Sequence, residues 1–183
     1  IQATSEIIES GKFQIDKRGG KDLAYWNLFT NYDLSGSPEM ILFKDYDGGE
    51  QIKHGAGAQV LSWVCNLSRS LMESYEYLTD EGKAIPFSRF SQTFMRPGYI
   101  KGGESLPFRP NLNLGGYPCI KFVPNEADQL VGVNTDTDLP VVRYAEILLI
   151  NAEAKAELGK LTQDDMDKTI NEIRSRVEMP RII

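Results

Sequence analysis

Apolar side chains recur with helical spacing near the end of the chain. Val141, Ala145, Leu148, Ala152 and Ala156 share one face of a predicted helix starting at Pro140, and Arg143, Glu146, Glu153 and Glu157 fall opposite. Pro140 suits a first helical turn, where its missing N–H costs nothing. Ile147 to Ile150 is apolar all round, which predicts burial on two sides. Gly159 closes the helix. Leu161 and Met166 read as a hydrophobic staple, with Thr162 as N-cap and Asp165 in the reciprocal position. Met166, Ile170, Ile173 and Val177 then line a second helix, which Pro180 stops. Ala145, Ala152, Ala154 and Ala156 leave little bulk at the seam, so neighbouring helices can approach closely. Residues 139–178 thus read as one tetratricopeptide-like helix pair of about the repeat's length. Such a unit cannot bury its own face and needs others stacked on it.

The rest of the chain is less periodic. Residues 3–10 read as the last turns of a helix, with Gly11 as its stop, and Phe13 and Ile15 as an extended segment. Residues 22–30 form a second short helical candidate with Leu23, Trp26, Phe29 and Thr30 on one side. Met40 to Phe43 is a short apolar run, expected to be a strand. Residues 45–57 hold four glycines, Lys53 and His54, and read as an exposed loop. Residues 59–67 read as a strand or irregular segment. Residues 70–78 read as a helix capped by Ser70 and Glu73, ended by Gly82 and Pro86. From Pro86 to Asp138 the chain is rich in Pro, Gly and Asn and predicts turns, with one short strand at Cys119 to Val123. The expected fold class is mainly α: helix pairs with a loop-rich insertion and a few short strands, in a single domain over residues 1–183.

The chain has 183 residues with 20 Lys+Arg against 26 Asp+Glu, a formal charge of −6. That balance offers no electrostatic footprint for nucleic acid or an anionic membrane face. No apolar run is long enough to span a membrane. Ile1 to Glu6 lacks the basic start and apolar stretch of a signal peptide, so the chain is expected to be trimmed or an internal piece of a longer protein. Cys65 and Cys119 match no metal-ligand spacing and read as two buried small residues.

The order of several segments resembles the SusD/RagB family. Arg143-Tyr144-Ala145-Glu146-Ile147-Leu148-Leu149 through Ala152-Glu153-Ala154 is similar to the family's Arg-Tyr-Ala-Glu helix, and Asn171-Glu172-Ile173-Arg174-Ser175-Arg176 to the Asn-x-x-Arg-x-Arg helix after it. Ser37-Pro38-Glu39 followed by Met40-Ile41-Leu42 looks like the family's Ser-Pro-Glu step into an apolar strand. Leu71 to Tyr75, Gly82-Lys83 and Gly116 to Phe122 resemble the intervening segments. The sequence departs from the pattern at Phe87 to Ser91, where the family carries an Arg-Asp-Pro-Arg-like element, and at Glu178, where the family usually has glycine. The family is also longer, with a lipidated N-terminal cysteine outside this chain.

The resemblance implies a non-enzymatic, lipid-anchored protein on the outer-membrane surface of Bacteroidetes. It would hold a glycan or other nutrient for a SusC-like TonB-dependent transporter, with no cofactor. Sugar faces need flat rings, and sugar hydroxyls need amides and charged groups, presented on a rigid scaffold. Tyr46 and Trp63 lead the aromatic candidates because they flank the longest loop, followed by Trp26, Tyr99 and Tyr32. Aromatics also dominate cores, which is the competing reading for each. His54, the only histidine, is expected on the surface, near ligand. No catalytic residue is assigned: no nucleophile elbow accompanies His54. Glu146 and Glu153 would lie about 10.5 Å apart along a helix, beyond a glycosidase pair, and read as a solvated face near Arg143. No metal site is expected, since Asp45, Asp47, Asp136 and Asp138 lack a calcium-loop pattern. Arg174 and Arg176 read as scaffold residues that bond carbonyls or carboxylates. The alternatives are a tetratricopeptide-like scaffold for a protein partner and a piece of a glycoside hydrolase.

Overall fold

The computed structural model describes residues 1–62, 68–78, 84–86, 88–93, 100–101, 104–105, 119–124 and 132–183. Helix α1 (Gln2–Glu9) leads to α2 (Ala24–Asn27), strand β1 (Met40–Lys44), α3 (Ala56–Ser62) and α4 (Arg69–Glu73). Short strands β2 (Glu76–Leu78) and β3 (Ala84–Pro86), helix α5 (Ser88–Ser91) and the β4 (Ile100–Lys101) and β5 (Glu104–Ser105) pair follow. The chain then runs into β6 (Leu139–Arg143), α6 (Tyr144–Glu157), α7 (Gln163–Met166), a π-helical turn at Asp167–Asn171, and α8 (Glu172–Ser175).

The helix predicted from Pro140 starts four residues later. Leu139–Arg143 is a strand, antiparallel to β1, with Met40 opposite Arg143 and Lys44 opposite Leu139. Leu139 precedes a proline, which disfavours the helical region, and Val141 and Val142 favour an extended chain once β1 offers hydrogen bonds. The apolar run at Met40 is the expected strand.

Helix α6 packs against both α1 and the C-terminal helical run. Its buried face is Tyr144, Ala145, Leu148, Asn151 and Ala152. Ile7 and Ile8 of α1 and Ile173 of α8 pack on the cluster formed by Ile15, Tyr144, Ala145 and Leu148. The alanine seam is shorter than expected: Ala145 and Ala152 are buried, but Ala156 is exposed. Leu149 and Ile150 are half exposed, so this turn is not buried on two sides among the described residues. Asn151 donates to Thr4 Oγ1 at 2.9 Å and Ser5 Oγ at 3.1 Å, which fixes α1 across the seam.

The caps follow the sequence closely. Gly11 (φ +63°) and Gly159 (φ +64°) take the left-handed conformation that ends α1 and α6. The Thr162 side chain accepts from the Asp165 N–H while Asp165 accepts from the Thr162 N–H, closing a capping box. At the far end, Glu178 has φ +51°. Its N–H reaches the Ser175 carbonyl, and that of Met179 reaches Arg174, the hydrogen-bond pattern of a Schellman close with glutamate in the glycine position.

Other expectations need correction. Of residues 59–67, expected as a strand or irregular segment, 59–62 belong to helix α3 and 63–67 lie outside the described residues; the Ala56 N–H is accepted by the His54 ring at 3.1 Å and Gln59 N–H by the Gly55 carbonyl. The helix expected over residues 70–78 ends at Glu73, because Glu76–Leu78 pairs with Ala84–Pro86. Its cap is Ser68, whose hydroxyl accepts from Leu71 N–H at 3.2 Å. In the segment 22–30 the buried residues are Ala24, Tyr25, Leu28, Phe29 and Thr30, so Phe29 and Thr30 of the expected face are buried while Leu23 is exposed. Tyr25, Leu28 and Phe29 pack with Leu34, Met40 and Val177 in a second core, which turns Trp26 toward the surface.

Candidate functional site

Ser37-Pro38-Glu39 ties the two cores together. The Glu39 side chain is fully buried. Its Oε1 accepts from Arg143 at 2.8 Å; its Oε2 accepts from Arg176 at 2.5 Å and from the Asp16 N–H at 2.9 Å. Its carbonyl accepts the Tyr144 N–H, the first residue of α6. Ser37 donates to Asp16 Oδ2 at 2.9 Å, and the Pro38 carbonyl accepts from Gln14 N–H. Burial opposes the Asp16 charge, but hydrogen bonds from Arg18 and Ser37 hold its carboxyl below the usual value. Asn171 completes the set: its amide donates to the Ile182 carbonyl and accepts the Ile182 N–H, while Arg174 donates to the Pro180 carbonyl. Arg143 thus serves Glu39 rather than the exposed face of Glu146 and Glu153.

On this frame sits an open hollow of about 390 Å³, lined by Asp16, Arg18, Trp26, Asn27, Asn31 and Tyr32 among others. Helix α2 is too short to hold itself, and Gln92 does so from a distance. The buried Gln92 Oε1 accepts from the Tyr25 and Trp26 N–H groups at 2.9 and 3.0 Å, and its Nε2 donates to the Lys21 carbonyl at 2.7 Å. This positions Trp26, which is half-buried, with an indole N–H that is shielded from solvent and has no acceptor among the described residues. The Tyr32 side chain stands at the rim, 41% exposed.

Tyr32 also lines a second, wider hollow of about 500 Å³, with Tyr46, Asp45, Lys53, Asn134 and Asp136. The loop carrying Tyr46 is tied down more firmly than its composition predicts. Asp47 and Ile52 exchange backbone hydrogen bonds, and Asp47 Oδ1 accepts from Gly49 and Glu50 N–H. A Cβ at Gly48 would overlap the Asp136 carboxylate, so any other residue there requires that side chain to move. Asp138, buried, accepts from Leu34 N–H and Tyr46 N–H at 2.9 Å each, joining the two hollows' walls. Burial pushes the Asp138 carboxyl above its usual value.

His54 sits at the back of the second hollow's loop. Its Nε2 lies 2.7 Å from the Thr137 carbonyl and its Nδ1 accepts from Ala56 N–H, which assigns the neutral ring with its proton on Nε2. Its backbone pairs both ways with Thr135, and its ring packs edge-on to Tyr46 at 4.4 Å. His54 therefore acts locally as the support of Tyr46. Of the aromatic candidates, Trp26, Tyr32 and Tyr46 are brought together along one surface, with Tyr32 common to both hollows. Trp63 and Tyr99 lie outside the described residues, as does Cys65; Cys119 is buried. Among the described residues no group of three His, Cys, Asp or Glu is placed to hold a metal ion, and no helix is long and apolar enough to cross a membrane.

Residues 74–182, which include Arg143, Asn171, Arg174 and Arg176, match the SusD family. The chain belongs to the SusD family. Two solved structures share this fold. A SusD-like carbohydrate binding protein from Bacteroides fragilis aligns with a TM-score of 0.70 at 21% identity, over 99% of this chain and 41% of its own. A SusD superfamily protein from Parabacteroides distasonis aligns with a TM-score of 0.56 at 22% identity, over 100% of this chain and 39% of its own. The chain thus spans about two fifths of the length of these SusD-type structures. None of the curated proteins compared matches the sequence.

The signals for the supporting residues differ in kind. Glu39 and Arg176 lie in segments that resemble family motifs. Gln92 and Asp138 carry no local signal, because each acts on backbone far away in sequence.

Proposed function

We propose that this chain is part of a non-enzymatic, lipid-anchored surface protein that holds a glycan in the paired hollows around Tyr32 and passes it to a TonB-dependent transporter of the outer membrane. One observation carries the reading: Trp26, Tyr32 and Tyr46 lie along one open surface, interleaved with Asp16, Arg18, Asn27, Asn31 and Lys53. Rings stack on the apolar faces of sugars, and carboxylate, guanidinium and amide groups match the hydroxyls at their edges. The indole N–H of Trp26 has no acceptor among the described residues. Family membership and the carbohydrate-binding relative from Bacteroides fragilis support the same class of ligand. His54 enters through Tyr46, and Trp63 and Tyr99 remain proposed contacts of the same ligand.

The helix pair Tyr144 to Ser175 is read as one tetratricopeptide-like unit, with the exposed Leu149 and Ile150 available to a neighbouring element. Asp45, Asp47 and Asp136 line one hollow, which is the arrangement a hydrolase reading would use. A glycan array probed with the full-length protein, followed by product analysis, separates the two. Binding without release of shorter sugars is the expected result; turnover of a bound polysaccharide overturns the non-enzymatic reading.

A further inference from the structure

A third cavity takes in Tyr25 of α2 but not Trp26. It has a volume of about 290 Å³ and is lined by Arg89, Arg143, Arg174 and Arg176, by Tyr25 and Ser74, and by an aliphatic wall that includes Leu149 and Ile173. No carboxylate lines it among the described residues. The positive charge around it is poorly matched. Glu39 is the one carboxylate in contact with these arginines among the described residues, and both of its oxygens are already occupied.

The cations instead lean on rings. The Arg89 guanidinium is 4.3 Å from the Tyr25 ring centre and 5.0 Å from that of Tyr75; Lys121 Nζ is 4.1 Å from that of Phe29. Aromatic faces attract cations but return less than a counter-ion does. Two donors are left over. The Nε–H of Arg176, a residue 4% exposed, and the Nε–H of Arg89 are both shielded from solvent and lack acceptors among the described residues. Burial opposes ionisation of the Tyr25 phenol, yet Arg89 and Lys121 pull it below its usual value, which reports a positive potential at the cavity wall.

We propose that this cavity is an oxyanion site, built to take a carboxylate or sulfate group. Planar guanidinium forks match such groups in pairs of hydrogen bonds, and the half-exposed Arg89 and Arg174 both line the cavity. The aliphatic wall fits the carbon skeleton of a group that carries the charge. The site does not depend on the Trp26 hollow, so sulfate and galacturonate test it whatever becomes of the glycan reading.

The experiment is calorimetric titration of the full-length protein with sodium sulfate, galacturonate and galactose, at ionic strength held constant with sodium chloride. Arginine Nε–H resonances are followed by NMR in parallel. The expected result is saturable binding of sulfate or galacturonate, with shifted Nε–H resonances, and no binding of galactose in this cavity. Sulfate alone identifies a free oxyanion as occupant, and galacturonate alone an acid borne on a sugar. Arg89→Gln and Arg174→Gln each weaken the affinity by about tenfold, the scale of one charge-assisted hydrogen bond. Arg69→Gln, which removes an exposed arginine paired with Glu73, leaves it unchanged. Absence of saturable binding, galactose moving the same resonances, or wild-type affinity in both cavity variants overturns the assignment.

Discussion

The Glu39 carboxylate meets the Arg176 guanidinium at 2.5 Å, across 137 positions of chain, with both side chains almost wholly buried. Arg143 closes on the other oxygen. Three segments that read as separate motifs in the sequence are thus one contact in space. The triad carries two cations against one anion, and burial pulls the Arg176 pKa down while Glu39 opposes the shift. Its stability depends on Glu39 more than on either arginine.

Glu39→Gln is therefore expected to cost about 3–5 kcal/mol, because it leaves buried guanidinium groups without a counter-charge. Replacing all three residues at once by apolar ones of similar volume costs less than that single change. Urea denaturation of the single and triple variants measures both, and a triple variant less stable than Glu39→Gln contradicts the account.

Glu178 holds a left-handed backbone where the family usually places glycine. Its contact with Lys21 at 2.9 Å is exposed and screened by solvent, so little is lost with the side chain. Glu178→Gly is expected to stabilise the fold by about 1 kcal/mol, seen as a higher urea midpoint at unchanged slope.

Asp138 accepts two backbone N–H groups from separate loops. Asn has one acceptor oxygen, so Asp138→Asn orphans a buried donor and is expected to cost about 1–3 kcal/mol. Amide exchange should quicken at Leu34 or Tyr46, and unchanged protection at both would count against the clamp.

Asp165 links the capping box to pH. Hydrogen bonds from Lys155 and from the Thr162 side chain and backbone lower its pKa from 3.8 to about 2. A depressed carboxylate stabilises the fold above the unfolded value, and that contribution disappears as pH falls through the folded one. Asp138 runs the other way: its raised pKa makes its contribution grow as pH falls. Comparing wild type with Asp165→Asn removes the Asp138 effect. The stability gap between them is expected to be full at pH 7 and to shrink as pH falls from about 4 to about 2.

Local chemistry was legible in the sequence. The stops at Gly11 and Gly159, the Thr162–Asp165 box and the strand at Met40 all follow from a few neighbouring residues. What depended on distant partners was not. Leu139 to Arg143 has a helical pattern of apolar residues, and only β1 lying alongside makes it a strand. Residues 76–78 leave the predicted helix because β3 pairs with them. The site divides the same way. Trp26 and Tyr46 could be named as aromatics near polar sequence, but Tyr32 as the residue common to both hollows, Gln92 as the cap of α2 and His54 as the support of Tyr46 needed coordinates.

Trp26 and Tyr32 give the most direct test of the glycan reading. A neutral oligosaccharide that the full-length protein binds on an array should be titrated calorimetrically into wild type and the Trp26→Ala/Tyr32→Ala variant. Loss of two stacking rings is expected to weaken binding by about tenfold or more, with the unfolding midpoint little changed. Wild-type affinity in the double variant would contradict the placement of the glycan on this surface.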